Sequence, residues 1–272
     1  MGKNTNDFDK DLNPLLEVAS NADLDFLVNI VKGTWTNFLE IEDAYKKHYP
    51  NHGEYVDLLA SHVRRFGGNT IANMGRGLFG HTDAALVGPK YHEIVCDVAD
   101  NFKVNYNKQH SVEIIEDAIF MKAFSDTLEK MSDCERKEFL NSLGLSNITG
   151  SGPAITAAAI AIFKAGGFKS YQLTIVIVNA ILKALIGRGL PFVAGPILVQ
   201  SLKFLTGPVG WALTGAWSMV DISSPATRIT IPAVLYIGTL RKKYNSIECQ
   251  ACHAMLSPEA KFCAECGEKI IK

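Results

Sequence analysis

The stretch CQACHAMLSPEAKFCAEC, residues 249–266, decides the fold of the last part of this 272-residue chain. It contains two CxxC pairs separated by ten residues, and each pair lets two thiolates point at one ion from a tight turn. Two such turns brought together form the tetrahedral four-sulfur site that zinc favours. The sequence therefore predicts a zinc ribbon with four metal ligands: Cys249, Cys252, Cys263 and Cys266.

A shell of four thiolates is closed, so we expect the zinc ion to be structural and not catalytic. The segment is too short to fold around an apolar core alone, and metal binding would supply much of its folding free energy. A redox-active dithiol is the alternative interpretation of the same cysteines. The sequence AKFCAECG, residues 260–267, resembles the second half of the short bacterial zinc-ribbon module. His253 departs from that module, in which glycine often follows the second cysteine; it is a fifth ligand candidate, but we expect it to be exposed.

Upstream of the ribbon, apolar residues recur at helical spacing. The amphipathic pattern is strongest at residues 110–130, and a capping box at Ser132 and Glu135 begins the next helix. An earlier helix begins near Asn21, with Asn21 or Asp23 as its N-cap. Further helices are predicted at residues 37–48, 54–66, 91–102, 133–143, 170–182 and 229–240. The predicted fold class is mainly α, with any strand confined to the ribbon.

The composition changes at about residue 144. Residues 1–143 hold 15 Lys/Arg against 23 Asp/Glu, whereas residues 144–240 hold six Lys/Arg against one acidic residue, Asp221. We therefore predict a chain of four parts: a flexible N-terminus at 1–20, an acidic helical domain at 21–144, an apolar and cationic helical region at 145–243, and the zinc ribbon at 244–272.

The apolar region between residues 149 and 240 allows two interpretations. Uncharged stretches of 13, 14 and 17 residues follow Lys169, Arg188 and Lys203, and an 18-residue stretch at 146–163 begins with polar and glycine residues. A membrane-spanning helix needs about 20 apolar residues, so these lengths favour a buried, Gly/Ala-rich helical core. The near-absence of acidic residues favours instead helices that enter or lie on an anionic bilayer, with lysines reaching lipid phosphates.

Cysteine usage predicts the compartment. Four of the six cysteines form the CxxC pairs, and Cys96 and Cys134 are isolated, a usage typical of a reducing compartment with a metal site. The first residues are polar and charged and show no secretory signal. We expect a cytoplasmic protein that associates with the inner membrane surface.

The sequence shows no catalytic constellation. The segment GRGLFG, residues 75–80, matches GxGxxG superficially, but no predicted strand precedes it and no βαβ unit surrounds it. HExxH, GxxxxGK[ST] and GxSxG are absent, and the scattered histidines are expected at the surface or between helices. The basic runs at residues 64–65 and 241–243 fit helix ends, with phosphate contact as the alternative. We predict that the protein is not an enzyme and has neither catalytic residues nor an organic cofactor.

Four segments resemble the YaaW-like bacterial proteins, which are grouped loosely with the ubiquinol–cytochrome c chaperones, a set of helical assembly factors. They are DLDFL at residues 23–27, FGGNTIAN at 66–73, GPVGWAL at 207–213 and RITIPAVL at 228–235. The resemblance covers roughly residues 20–243. It implies a helical fold, brings no catalytic residues, and leaves the ribbon outside as an appended module.

Three classes of function follow. The favoured one is a non-enzymatic partner-binding or assembly protein with a structural zinc ribbon. The alternative is a membrane-inserting or pore-forming protein that acts through residues 149–240. A nucleic-acid binder is the weaker alternative. The ribbon contains only three lysines (Lys261, Lys269 and Lys272) against four acidic residues, so it lacks the cluster of positive charge that phosphate binding needs.

Overall fold

The structure is a computed structural model, and the chain in it is mainly α-helical, as predicted. It describes residues 8–33, 39–67, 88–142, 145, 152–165, 167–191, 225–256, 258 and 260–270. Within these residues the α-helices are α1 (Asn13–Val18), α2 (Asn21–Val31), α3 (Asp43–His48), α4 (Val56–Gly67), α5 (Tyr91–Asn101), α6 (Val112–Lys130), α7 (Asp133–Ser142), α8 (Gly152–Ala165), α9 (Gly167–Ile186) and α10 (Pro225–Tyr244). Short 3-10 helices span Leu39–Ile41 and His52–Tyr55. Strands β1 (Ile247–Glu248) and β2 (Met255–Leu256) pair antiparallel within the ribbon.

The described residues form two compact units. The first contains the described residues up to Ala118 and those of α10 up to Leu240. The second begins at Ile119 and takes in the described residues from Arg241 onward, so α6 and α10 each run through both units. The predicted domain boundary at residue 144 stays a prediction, because that residue lies outside the described ranges.

Helix α1 was missed by the sequence analysis, which predicted a flexible N-terminus to residue 20. Leu12, Leu15 and Leu16 are buried around this helix. Two polar residues near them in sequence, Asp9 and Asn13, are buried as well, and the N–H of Asp9 donates to Oδ1 of Asn13 at 3.0 Å. Polar groups can be buried when they are hydrogen-bonded. The polar composition of these residues is therefore compatible with an ordered helix.

Helix α2 begins at Asn21 as predicted, but Ser20 is its cap. The Oγ of Ser20 accepts the N–H of Asp23 at 3.2 Å. The amide of Asn21 is used elsewhere, since it donates to the carbonyl of Pro50 at 2.9 Å and accepts the N–H of His52 at 2.7 Å. The predicted N-cap, Asn21 or Asp23, is therefore wrong: Asn21 makes tertiary contacts, and Asp23 donates its N–H to the cap.

The capping box at the start of α7 is confirmed. Oε2 of Glu135 accepts the N–H of Ser132 at 2.8 Å, and Oγ of Ser132 accepts the N–H of Glu135 at 3.3 Å. Two otherwise unsatisfied donors at the helix start are thereby paired. The hydroxyl and N–H of Ser132 also lower the pKa of Glu135.

A buried ion pair joins three segments of the first unit. Asp9 and Arg64 are each only 1% exposed, and Nε of Arg64 lies 3.6 Å from Oδ2 of Asp9. The same carboxylate oxygen accepts the N–H of Tyr91 at 2.8 Å, so Asp9 caps the positive end of α5. Nε of Arg64 donates to the carbonyl of Pro89 at 2.8 Å. One charged pair thus holds together the chain before α1, the end of α4 and the start of α5.

The first unit also brings α10 against α2. The rings of Tyr236 and Phe26 lie 4.7 Å apart, and the hydroxyl of Tyr236 donates to the carbonyl of Asp23 at 3.0 Å. Asp23 and Phe26 belong to the segment DLDFL that resembles the YaaW-like proteins, and Tyr236 directly follows the segment RITIPAVL. The segment GPVGWAL and residues 68–73 of FGGNTIAN lie outside the described residues.

In the second unit α9 is buried along residues 170–182, the polar side chains included. Helix α8 and strand β2 both contact it. Phe124 of α6 packs against Phe139 of α7 and Phe163 of α8, with ring centroids 6.2 and 6.4 Å apart. Of the helices in the described ranges, none has the length and apolar character that a membrane crossing requires.

We predict that Asp9→Ala lowers the free energy of unfolding by about 3 kcal/mol, because it buries the Arg64 charge without this carboxylate and removes the cap of α5. Denaturant unfolding followed by circular dichroism measures the change. Glu17→Ala removes the same charge from an exposed position on α1 and should cost less than about 0.5 kcal/mol. Equal costs for the two changes would contradict the role assigned to Asp9.

Candidate metal centre

The ribbon follows α10 without a flexible linker. Only residues 245 and 246 lie between α10 and β1. The N–H of Asn245 donates to the carbonyl of Arg241 at 2.9 Å, and the hydroxyl of Ser246 donates to the carbonyl of Lys242 at 2.5 Å. Both connecting residues are therefore hydrogen-bonded to the last turn of the helix.

The hairpin and a second turn bring the two CxxC pairs together. The first pair lies between β1 and β2, whose register places Ile247 opposite Leu256 and Glu248 opposite Met255. The second pair lies between Phe262 and Lys269, which form an antiparallel bridge. Each CxxC thus sits in a turn closed by paired backbone, which is the arrangement that the ribbon prediction requires.

The four cysteine sulfurs form one cluster, in which all lie within 4.8 Å of one another. Sγ of Cys249 lies 3.7 Å from Sγ of Cys266, and Sγ of Cys252 lies 3.5 Å from Sγ of Cys263. Four sulfurs placed tetrahedrally at about 2.3 Å from a zinc ion are about 3.8 Å apart, so this donor set fits zinc. The predicted clustering of the four cysteines is confirmed, and zinc as its ion stays a proposal.

Backbone N–H groups lie close enough to the sulfurs of Cys252 and Cys263 to favour their thiolate form, but of these two thiols only Cys263 has a lowered pKa. The N–H of Glu265 donates to Sγ of Cys263 at 3.4 Å. Burial opposes ionisation of Cys263, but the N–H groups of Cys266 and Glu265 outweigh it and lower the pKa of this thiol to about 7. At Cys252 the N–H of Ala254 favours the thiolate, but burial and the neighbouring thiols outweigh it and raise the pKa to about 12. A bound dication would favour the thiolate at every position, because its charge offsets the repulsion among them.

The two CxxC turns share one backbone design. The N–H of His253 donates to the carbonyl of Cys249 at 2.9 Å, and the N–H of Gly267 donates to the carbonyl of Cys263 at 2.9 Å. His253 has φ 60° and Gly267 has φ 78°, both in the left-handed region that glycine adopts without strain. This conformation explains why glycine is common at the position that His253 occupies.

The side chain of His253 is exposed, as expected, and does not join the cluster. Its Nδ1 lies 2.6 Å from Oε1 of Glu248. Among the described residues of the ribbon, the four cysteines supply the donors, and a tetrahedral ion bound by all four has no open position for water or substrate. The centre is suited to a structural role.

The ribbon has a very small core and belongs to the second unit, in which it contacts α9. Its buried members are Cys249, Ala254, Leu256 and Cys263, so half of them are candidate metal ligands. Strand β2 contacts α9 of the same unit. A module that the sequence presents as appended is thus part of the packing around α9.

The other residues singled out by the sequence do not join the cluster. Cys96 is buried on α5, where burial raises the pKa of its thiol, and Cys134 is exposed on α7. His48 ends α3 while His52 begins a 3-10 helix, so the two do not share a helical face, as predicted. The segment at residues 75–80 lies outside the described residues.

Sequence reasoning missed a buried polar group around His52. The ring of His52 is fully buried, with Nε2 3.1 Å from Oδ1 of Asp25 and Nδ1 in hydrogen-bond contact with the hydroxyl of Tyr55. Burial raises the pKa of the Tyr55 phenol, which opposes its ionisation. The group joins α2 to the 3-10 helix and offers no accessible nucleophile. Asp25 and His52 are 27 residues apart in the sequence, so no local motif predicts their contact.

Among the described residues, the cysteine cluster is the single group of three or more potential His, Cys, Asp or Glu ligands that comes together. The fold and this site define a class: a helical protein whose C-terminal module is built on four clustered cysteines.

Comparison with known proteins identifies the helical body. The family model described as ubiquinol-cytochrome C chaperone matches residues 51–234. A UPF0174 protein of Helicobacter pylori strain J99 is 38% identical over 242 residues, which cover 87% of this chain and 92% of that protein. A UPF0174 protein of Helicobacter pylori strain 26695 is 36% identical over 207 residues, covering 74% and 95%. The UPF0174 protein YaaW of Escherichia coli K12 is 28% identical over 211 residues, covering 77% and 80%. No solved structure gives a significant match.

The chain belongs to the UPF0174 family, so the resemblance to the YaaW-like proteins is confirmed. The residues that match the family model end at 234, before Cys249. The four-cysteine cluster therefore lies outside the part of the chain that this model covers.

We predict about one zinc ion per chain in protein purified without chelators. The double change Cys249→Ser and Cys263→Ser should abolish zinc binding while most of the helical signal remains, because the described helices lie upstream of the ribbon. Metal analysis and circular dichroism measure the two quantities. Cys134→Ser removes an exposed thiol outside the cluster and should leave the zinc content unchanged. Metal-free wild-type protein would show the assignment to be wrong.

Proposed function

We propose that this protein is a non-enzymatic assembly factor whose helical body binds a protein partner and whose ribbon holds a structural zinc ion. The family relationship carries the proposal, since the model that covers residues 51–234 is described as a chaperone. A chaperone acts on another polypeptide through a binding surface and needs no catalytic constellation. The closed four-cysteine donor set supports a structural role for the ion.

The surface of the ribbon favours a protein partner over a nucleic acid. Lys261 and Lys269 are exposed beside the exposed Glu265 and Glu268, so the charge is mixed. Phosphate binding needs a cluster of cations, whereas aromatic side chains are enriched at protein interfaces. Phe262, 62% exposed, lies within this mixed surface. The nucleic-acid function is therefore the weaker candidate.

We propose a cytoplasmic location with reversible contact to the inner membrane surface. The cysteine usage supports the reducing compartment. Residues 144–240 carry six Lys/Arg and one acidic residue, and Lys183 and Arg188 are exposed at the end of α9. Each cation near an anionic surface contributes about 1 kcal/mol of attraction, so such a contact would be electrostatic and shallow.

Membrane insertion or pore formation through residues 149–240 is the competing function. Its support is the apolar, acid-poor composition of that region. The burial of residues 170–182 within the protein supports the packed core instead, because a helix that is apolar all round must be covered by protein or by lipid. Resistance of the membrane-bound protein to washing separates the two functions.

We predict that a photo-crosslinking amino acid placed at exposed apolar positions will form discrete protein adducts in the native host. Ile114 of α6, 52% exposed and within the residues matched by the family model, tests the body, and Phe262 tests the ribbon. Electrophoresis and mass spectrometry of the adducts measure the result. The exposed, polar position of Glu17 on α1 is the control and should give none. Absence of adducts at both apolar positions would contradict a partner-binding role.

We predict that about 0.5 M salt releases the protein from isolated membranes, because the Debye length then falls to about 4 Å. Lys183→Gln with Arg188→Gln should reduce binding to anionic vesicles several-fold. Lys46→Gln with Lys47→Gln removes the same charge from exposed positions of α3 and should not. Retention of the protein on membranes through salt and carbonate washes would favour insertion. Failure to bind either membranes or anionic vesicles would contradict the proposed membrane contact.

A further inference from the structure

We propose that the metal state of the four-cysteine centre controls whether the β1–β2 hairpin covers the apolar helix α9. Metal loss would unfold the hairpin and uncover one side of α9 for an apolar segment of the protein partner. The inference rests on the partner-binding function proposed above and adds a regulated surface to it.

The first element is a buried helix segment that carries no charge. No charged residue lies between Lys169 and Lys183, and residues 170–182 are all buried. Leu, Ile and Val occupy five of the six positions of LTIVIV at residues 173–178, a run that covers more than a full turn of the helix. A mainly apolar helix of this kind exposes hydrophobic surface where one of its covers is removed.

The second element is a cover whose fold depends on the centre. Strand β2 contacts α9, and Leu256 of β2 is 3% exposed. The buried residues of the ribbon core are Cys249, Ala254, Leu256 and Cys263, and a few partly buried hydrophobic residues, among them Ile247 and Met255, pack against them. Two of the four buried residues are candidate ligands, and the remaining apolar residues are too few to order the segment without the ion. The cover is therefore ordered only while the sulfurs are held together.

The third element is the attachment of the cover to the body. Residues 245 and 246 are both hydrogen-bonded to the last turn of α10. Nζ of Lys242 in that turn lies 5.6 Å from the centre of the Phe163 ring of α8, which itself contacts α9. The start of the hairpin is thus held beside the α8–α9 pair. Hairpin folding restores the cover without a search by a long tether, so the switch is reversible by adding metal.

The surface uncovered on α9 defines the chemistry of its ligand. Leu, Ile and Val occupy five of the six positions at residues 173–178, and no charged residue of α9 lies between Lys169 and Lys183. An apolar, uncharged polypeptide segment fits this surface, as a nascent or unassembled partner chain would present. The hairpin and the partner segment would then compete for one side of α9.

Hydrogen exchange of the full-length protein, with Zn²⁺ bound and after chelation in the presence of a thiol reductant, tests the proposal. Amides of residues 170–182 should exchange about tenfold faster or more after chelation, and binding of an apolar fluorescent dye should rise. Amides of α2 and α4 in the first unit should keep their rates. Re-addition of Zn²⁺ should restore protection of α9.

Matched variants distinguish loss of the α9 cover from loss of the metal centre and from loss of partner binding. Cys249→Ser with Cys263→Ser should show the fast exchange without chelator, and Cys134→Ser should behave as wild type. Unchanged protection of α9 while the hairpin amides exchange freely would overturn the inference and leave the metal centre and partner binding intact. Loss of protection in both units would overturn it as well, since that is global unfolding. Crosslinked adducts at Ile114 test partner binding independently of α9.

Discussion

The burial of α9 is the constraint on which the second unit depends. The buried polar side chains of α9 are hydrogen-bonded inside the protein: the hydroxyl of Thr174 donates to the carbonyl of Ser170 at 3.0 Å, and Oδ1 of Asn179 accepts the N–H of Leu190 at 2.8 Å. Helix α8 covers part of the apolar surface and strand β2 another part. The ribbon is therefore connected to the fold by hydrophobic burial as well as by the chain.

The first unit contains a buried charged contact in addition to its apolar core. Asp9 lies before the residues that match the family model, whereas Arg64 and Tyr91 lie within them. A buried ion pair contributes little net stability over an apolar substitute, but removing one partner is costly, so such a pair specifies position. Segments outside the matched residues thus complete both units, Asp9 before them and the ribbon after them.

Sequence patterns predicted correctly those features whose interacting residues lie close together in the chain. Helical periodicity placed α5 and α6 within two residues of their observed bounds, and the capping box at Ser132 and Glu135 needed only three residues of spacing. The CxxC spacing likewise named all four members of the cysteine cluster. In each case the interacting groups are neighbours in sequence, or belong to a motif whose geometry is set by a tight turn.

Long-range choices needed the tertiary structure. The sequence by itself determined the mainly helical class, the family and the identity of the clustered cysteines, because these depend on periodicity, similarity and spacing. Only the folded chain decided that Asp9 caps α5, that Ser20 and not Asn21 caps α2, and that residues 170–182 are buried in protein. A carboxylate 82 residues from its partner, or an apolar run equally suited to lipid and to core, carries no local signal of what covers it. The packing of β2 on α9 cannot be predicted from a local pattern either, because the two surfaces that contact each other exist only after both elements have folded.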